Sequence, residues 1–257
     1  MRITKDQLRS WEACRAGYEW FLRRFPDGEA DYQAVLDALA ADDRPADANW
    51  LMDRAGADAT AVLEVEAIGD TTHLFFAGRI VVELGAVLSG WLRAGDGIKA
   101  GWGIKAGDGI HAGQGINAGL DINAGLDINA GRDINAGRGI KAGWGIEAGW
   151  GIEAGRGIEA GRGIKAGWGI NAGWGIKAGD GIHAGQGINA GLDINAGWGI
   201  KAGDGIETGE GWACFAGLRL CVAQWPVHAI VTAKTKPAHL RGGFWIEPVA
   251  INEMGAA

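Results

Sequence analysis

The sequence predicts a mainly β chain, a parallel β-solenoid with a triangular coil of about 18 residues, preceded by a small helical domain and closed by a β cap. Three observations predict it. From Ala94 to Glu207 the chain runs through 19 six-residue units of the form Ala-Gly-x-Gly/Asp-Ile-x without an insertion, and isoleucine holds the fifth place in all of them, from Ile98 to Ile206. The phrase AGDGIHAGQGINAGLDIN occurs twice, at Ala106–Asn123 and Ala178–Asn195, so the array repeats at a multiple of eighteen as well as of six. Before the array, apolar residues recur at helical spacing instead.

Residues 1–57 read as helices. Thr4 and Gln7 make a capping-box start ahead of Leu8 and Trp11. Tyr18, Phe21, Leu22 and Phe25 form an apolar stripe stopped by Pro26, and Tyr32, Val35, Leu36 and Leu39 form another that ends before Pro45. A fourth helix over ADANWLMDRAG ends at Gly56, a suitable C-cap. Residues 58–93 change to short runs of β-branched and apolar residues, read as strands of a transition or N-terminal cap, and AGRIVV at 77–82 is a degenerate form of the later unit. The repeat spans 94–213, counting TGEGWA as a twentieth unit that puts Trp212 in the isoleucine slot. In 214–257, CFAGLRLCVAQW, HAIVTAK and LRGGFWIEP read as closing strands separated by Pro226 and Pro237.

A period of six suits a short strand and a corner, not an α-helix. In Gly-Ile-x-Ala the isoleucine and alanine lie two apart and point to one side, while the x between them points out. Gly-x-Gly then turns the chain, with glycine expected to supply positive φ. Its middle residue is Asp, Trp, Gln, Leu or Arg and also points out. Each buried isoleucine contributes roughly 1.5–3 kcal/mol. This array resembles the hexapeptide-repeat parallel β-helices, in which three hexads make one triangular coil, although here alanine follows the aliphatic residue by two instead of a small residue preceding it. A two-sided coil of twelve also divides the spacing of the duplicated phrase. At spacing eighteen, however, Lys141, Glu159 and Lys177 stack with alternating sign and Glu147 meets Lys165, whereas spacing twelve opposes Glu147 to Glu159. Three sides are expected.

Composition removes several function classes. Glycine is abundant, 47 residues against 5 prolines, but follows no three-residue period, so the chain is not collagenous. With 47% hydrophobic residues it is not a flexible linker. The net charge of −7 argues against nucleic acid or an anionic membrane as partner. Cys14, Cys214 and Cys221 read as reduced thiols, the first residues carry no secretory apolar core, and no apolar run reaches the roughly 20 residues of a span, so a cytoplasmic location without membrane association is expected.

Motifs for chemistry are wanting. The resemblance to hexapeptide β-helices, many of them acyltransferases with a histidine base, brings His111 and His183 forward, yet both sit in the most regular part of the array as outward ladder residues. His73, His228 and His239 stand without a surrounding motif. Gly-x-Gly is never followed by Gly-Lys-Ser/Thr, and no His/Cys pair has zinc spacing. Asp121, Asp127, Asp133 and Asp193 replace the second corner glycine and are expected to accept backbone N–H bonds at the turn. No catalytic, cofactor or metal residue is expected.

The informative outward feature is aromatic. Trp102, Trp144, Trp150, Trp168, Trp174 and Trp198 take the corner position, which they share with Arg132, Arg138, Arg156 and Arg162. Spacing eighteen puts Arg132 beside Trp150, Trp144 beside Arg162 and Arg156 beside Trp174. Two readings follow: cation–π packing along an edge, or a Trp/Arg belt that binds a protein partner or a second copy of the chain. The expected function is a non-enzymatic cytoplasmic interaction or scaffold protein. A helical module joined to near-identical repeats is similar to phage and prophage proteins, which implies inhibition of a host defence system. Two rivals are an acyltransferase and a DNA mimic, the latter disfavoured because residues 94–213 carry a net charge of only −3, from ten Lys/Arg and thirteen Asp/Glu.

Overall fold

The computed structural model describes residues 1–247; residues 248–257 of the expected C-terminal cap lie outside the described residues. The chain divides into two compact units, residues 1–131 and 132–257, and each carries parallel three-sided coils.

In the first unit four helices form as the stripes require: α1 (Lys5–Ser10), α2 (Arg15–Arg24), α3 (Tyr32–Ala41) and α4 (Pro45–Ala55). Thr4 Oγ1 accepts the Gln7 N–H (3.2 Å) while Gln7 Oε1 accepts the Thr4 N–H (2.9 Å), the reciprocal capping box. Asp31 Oδ1 caps α3 by accepting the Gln33 N–H at 2.9 Å. Gly56, at φ +75°, ends α4. Phe21, Tyr32, Val35, Leu36, Leu39, Leu51 and Met52 are buried together. The structure adds an antiparallel ribbon that helical periodicity did not foresee, β1 (Arg2–Thr4) with β2 (Glu29–Asp31), which buries Ile3 completely.

The helices sit on the first coil through hydrogen bonds that imitate a strand. The Gln33 side chain donates from Nε2 to the Phe75 carbonyl (2.8 Å) and accepts the Ala77 N–H at Oε1 (2.9 Å). One amide side chain thus occupies the open edge of strand Leu74–Phe76, whose unpaired backbone would otherwise template another chain. Arg93 reaches from the next coil to the Asn49 carbonyl (3.1 Å), Asn49 Oδ1 (2.8 Å) and the Asp53 carboxylate. Buried His73 takes the Trp91 N–H at Nδ1 (3.0 Å) and places Nε2 2.8 Å from Asp43 Oδ1.

Three parallel sheets make the coils of this unit. One orders Val62–Val65, Arg79–Val82, Ile98–Ala100 and Ile116–Ala118; the other two are built alike. Ile80 faces Ile98, and Ile98 faces Ile116, each eighteen residues on. Residues 58–93, expected as a transition, already wind as coils: Leu74–Phe76 pairs with Leu92–Ala94 at spacing eighteen, whereas Val62 faces Arg79 one residue sooner and the pairing of Ile68 with Ala86 slips by one residue to set Thr71 against Leu88. Valine, leucine and phenylalanine keep the inward alternation there while the six-residue wording is lost.

The second unit repeats the plan. Its first face holds Ile134–Ala136, Ile152–Ala154, Ile170–Ala172, Ile188–Ala190 and Ile206–Thr208. Its second runs from Ile140–Ala142 to Leu240–Gly242 and its third from Ile146–Ala148 to Phe244–Ile246. Every array isoleucine from Ile98 to Ile206 is at most 4% exposed. The charge ladders stand as the spacing requires: Lys141 Nζ lies 3.4 Å and Lys177 Nζ 3.9 Å from Glu159, and Lys165 Nζ lies 2.7 Å from Glu147.

The corner glycines differ from expectation. Positive φ occurs at Gly28, Gly56, Gly211, Gly217 and Gly243, and none of these belongs to the nineteen hexads. The first corner glycine is required by stacking: a β-carbon on Gly173 would lie 2.2 Å from the carbonyl oxygen of Gly155, one coil earlier. The second corner is looser: the nearest atom to a β-carbon would lie at 3.1 Å on Gly175, 3.5 Å on Gly169 and 3.8 Å on Gly187. That difference explains why aspartate is admitted only at the second corner. Asp133 Oδ1 there accepts the Gly151 N–H (2.9 Å) and Asp193 Oδ1 the Ala213 N–H (2.8 Å).

The array ends differently too. Trp212 does not fill the isoleucine slot; it is 44% exposed, and buried Cys214 faces Ile194 instead. Two extra residues, turned at Gly211 with φ +79°, keep the indole out of a column cut for isoleucine. Of CFAGLRLCVAQW only Cys214–Phe215 is a strand; a 3-10 turn at Val222–Gln224 runs into the short helix α5 (Trp225–His228), whose first turn accepts Pro226. The expected closing strands appear at Ile230–Thr232, Leu240–Gly242 and Phe244–Ile246. No helix among the described residues is long and apolar enough to cross a membrane.

Gly173→Ala is expected to lower the thermal unfolding midpoint by on the order of 5 °C, since the added methyl must displace backbone, whereas Gly187→Ala leaves it within about 2 °C. Circular-dichroism melts compare them directly, and equal shifts would remove the stacking account of the first corner.

Candidate functional site

The corner residues are built by the ladder itself. Residues eighteen apart share an edge, and the backbone N–H of each corner residue bonds the carbonyl of its predecessor. On one edge of the second unit the Trp150 N–H bonds Arg132 O (3.2 Å) and the Trp168 N–H bonds Trp150 O (2.9 Å). On the next edge the Arg156 N–H bonds Arg138 O (2.9 Å) and the Trp174 N–H bonds Arg156 O (3.1 Å). On the third, Trp144, Arg162, Asp180 and Trp198 follow in the same way, with bonds of 2.8–3.1 Å. The single belt expected from the sequence is therefore three edges. A six-residue step moves a corner residue to the next edge, and only an eighteen-residue step returns it.

The expected stacks are present. The guanidinium of Arg132 lies 4.9 Å from the Trp150 ring centroid, that of Arg156 5.2 Å from Trp174, and that of Arg162 4.5 Å from Trp144. Sequence reasoning did not pair Trp150 with Trp168, yet their rings stack at 5.3 Å and 4°. The signal was available, since both are corner residues eighteen apart. Trp198 instead meets His228 from the inserted helix, at 5.5 Å. Trp102 belongs to the first unit and is the most exposed of the six, at 56%; Trp150, the most enclosed, is 39% exposed. Arg138 joins its edge through the backbone ladder.

The two equivalent histidines prove unlike. His111 lies on the ladder between Arg93 and Asn129, with the Trp91 ring edge-on at 5.0 Å and Asn129 Nδ2 3.0 Å from its Nε2. Burial, then the Arg93 charge, pushes its pKa down to about 4. His183 is exposed between Lys165 and Lys201, and its pKa is lowered by desolvation and by both lysines. The Cys214 thiol is buried and pushed up to about 12, which holds it inert. Among the described residues no group of three or more His, Cys, Asp or Glu stands together in the manner of a metal site.

Against this geometry, the comparisons inform the helical end alone. Residues 1–57 match the YdhT N-terminal domain. The segment matching the YdhT N-terminal domain is the one that carries Gln33 and seats the helices on the first coil. No curated protein and no solved structure matches the chain.

The depressed pKa of His111 fixes the sign of a pH dependence. Between the ordinary 6.5 and about 4 the unfolded chain binds a proton that the folded chain refuses, so stability is complete above that window and is lost as the pH falls through it. Asparagine fills the same ladder place at Asn129. His111→Asn is expected to reduce the fall of the urea midpoint between pH 7 and 5, and to reduce it more than His183→Asn does; equal slopes in both variants and the parent would contradict the burial argument.

Proposed function

We propose that the chain is a non-enzymatic protein-binding scaffold in which the Trp/Arg edges of the coils form the contact surface. One observation carries the reading. Isoleucine and alanine fill the interior of the nineteen hexads, so the tryptophans are not needed for it, yet Trp144, Trp150, Trp168, Trp174 and Trp198 stand 39–54% exposed on one unit, several clamped by guanidinium groups. Large rings held rigid at the surface lose little conformational entropy on contact, and tryptophan with arginine is the composition of interface hot spots. All three cysteines are free, which fits a reducing cytoplasm. The sharper form, a phage-encoded inhibitor of a host defence protein, rests on the joining of a compact helical module to near-identical repeats; the likeness to hexapeptide β-helices rests on the six-residue period.

Other chemistry draws less support. His111 is wrapped by Trp91 and Asn129 and His183 stands between two lysines, surroundings that speak against either as an acyltransferase base. The Lys–Glu ladders break any run of negative charge that could imitate DNA.

The test is a tagged pull-down from host lysate with quantitative mass spectrometry. Trp150→Ala and Trp168→Ala are each expected to weaken retention of a captured partner by about 10- to 30-fold, the loss of one hot spot, with unchanged circular dichroism. Retention equal to the parent in the Trp150, Trp168 and Trp174 alanine variants would confine the tryptophans to edge packing.

A further inference from the structure

The three faces of the second unit differ in how their charges are matched. Glu159 lies between Lys141 and Lys177, and Glu147 pairs with Lys165, so two faces neutralise their own carboxylates. The face bounded by the Trp150–Trp168 edge and the Arg156–Trp174 edge does not. Its outward row reads Asn135, Glu153, Asn171, Asn189, Glu207, with no cation in it, and neither glutamate joins an ion pair among the described residues. The row borders a trough of about 490 Å³ that runs along the backbone of Ala154, Ala172 and Ala190 and the glycines that follow them. Corner glycines and short asparagines leave this groove open, and Asn189 Nδ2 donates to Asn171 Oδ1 (3.1 Å), so Asn189 Oδ1 and Asn171 Nδ2 remain as one acceptor and one donor at mid-groove.

Adjacent strands lie about 4.8 Å apart, so Glu153 and Glu207, three strands apart, are separated by about 14 Å. An extended peptide rises about 3.4 Å per residue, which puts residues i and i+4 about 13.5 Å apart on one side of it. We propose that the trough binds an extended basic segment of a partner protein, laid along the coil axis, with lysine or arginine at i and i+4 against Glu153 and Glu207 and a small residue at i+2 above the two asparagines. The segment's backbone supplies the carbonyl and N–H that Asn171 and Asn189 can take, and unmatched carboxylates at fixed spacing select register and charge. Trp168 and Trp174 stand at the corners on the two edges that bound this face. This inference rests on the protein-binding reading and names the chemistry of its partner.

Fluorescence anisotropy on the full chain tests it with two labelled heptapeptides of small polar residues, one with lysines at its second and sixth places, the other with lysines at its second and third. The spaced peptide is expected to bind at least fivefold more tightly, and the exposed double substitution Glu153→Gln with Glu207→Gln to abolish that preference while circular dichroism stays unchanged. Equal binding of the two peptides, or a preference that survives in the double variant, overturns the proposal. Trp variants that lose a captured partner while the peptides fail to discriminate would sink this inference alone; discrimination by the peptides with every partner retained by the Trp variants would sink the edge reading alone.

Discussion

Within the hexad array, a carbonyl oxygen one coil earlier lies where the first corner residue would carry its β-carbon. The distance from such a carbon to the oxygen is 2.2 Å at Gly173 and 2.1 Å at Gly191, far inside any tolerable contact. Only glycine passes, and the rest of the chain is arranged around that contact. Because the corners close tightly, strands of three residues pair in parallel at a step of eighteen, isoleucine stacks on isoleucine, and alanine on alanine. Because the second corner is looser, aspartate enters there and turns its carboxylate to a backbone N–H. The large conformational entropy that glycine loses on folding is tolerated because stacking cannot proceed without it.

That geometry divides the sequence into residues that build and residues that are free. Ile and Ala fill the interior, Gly makes the corner, and the two x positions of each hexad face out with little bearing on the core. Faces and edges can then be rewritten without refolding the coil. The result in the second unit is two self-neutralising faces, one unmatched acidic face, and three edges of tryptophan and arginine. At the other end of the chain, the segment matching the YdhT N-terminal domain covers the first coil with Gln33 as a counterfeit strand, which accounts for a helical module beside an otherwise exposed sheet edge.

Much of this was legible before any coordinates. Spacing alone paired Lys141 with Glu159, Arg132 with Trp150, and Thr4 with Gln7, because ladders and caps act between positions at fixed offsets. What escaped depends on contacts that no offset records. The sequence suggests positive φ at the corner glycines, since it does not show the carbonyl of another coil. Trp212 was placed in the isoleucine column because the count of six carried it there, whereas its bulk turns it out in favour of Cys214. Residues 58–93 hid their coils because valine, leucine and phenylalanine serve inwardly as well as isoleucine. The candidate site was legible residue by residue, but its division among three edges, the stacking of Trp150 on Trp168, and the unmatched row from Glu153 to Glu207 emerge only when eighteen-residue neighbours are laid side by side. His111 and His183, identical in local sequence, part company through Trp91 and Arg93, neighbours from outside the duplicated phrase.

The claim on which everything else depends is that the coil closes after eighteen residues. Paired nitroxide labels measure it directly. With Cys14 and Cys221 replaced by serine and buried Cys214 retained, labels at positions 153 and 171 should lie one strand spacing apart, about 5 Å, and give strong exchange and dipolar broadening in the continuous-wave spectrum. Labels at positions 159 and 171, twelve apart in sequence, should fall on different faces and give a spectrum close to the sum of the single labels. Broadening as strong at twelve as at eighteen, or stronger, would contradict the three-sided coil.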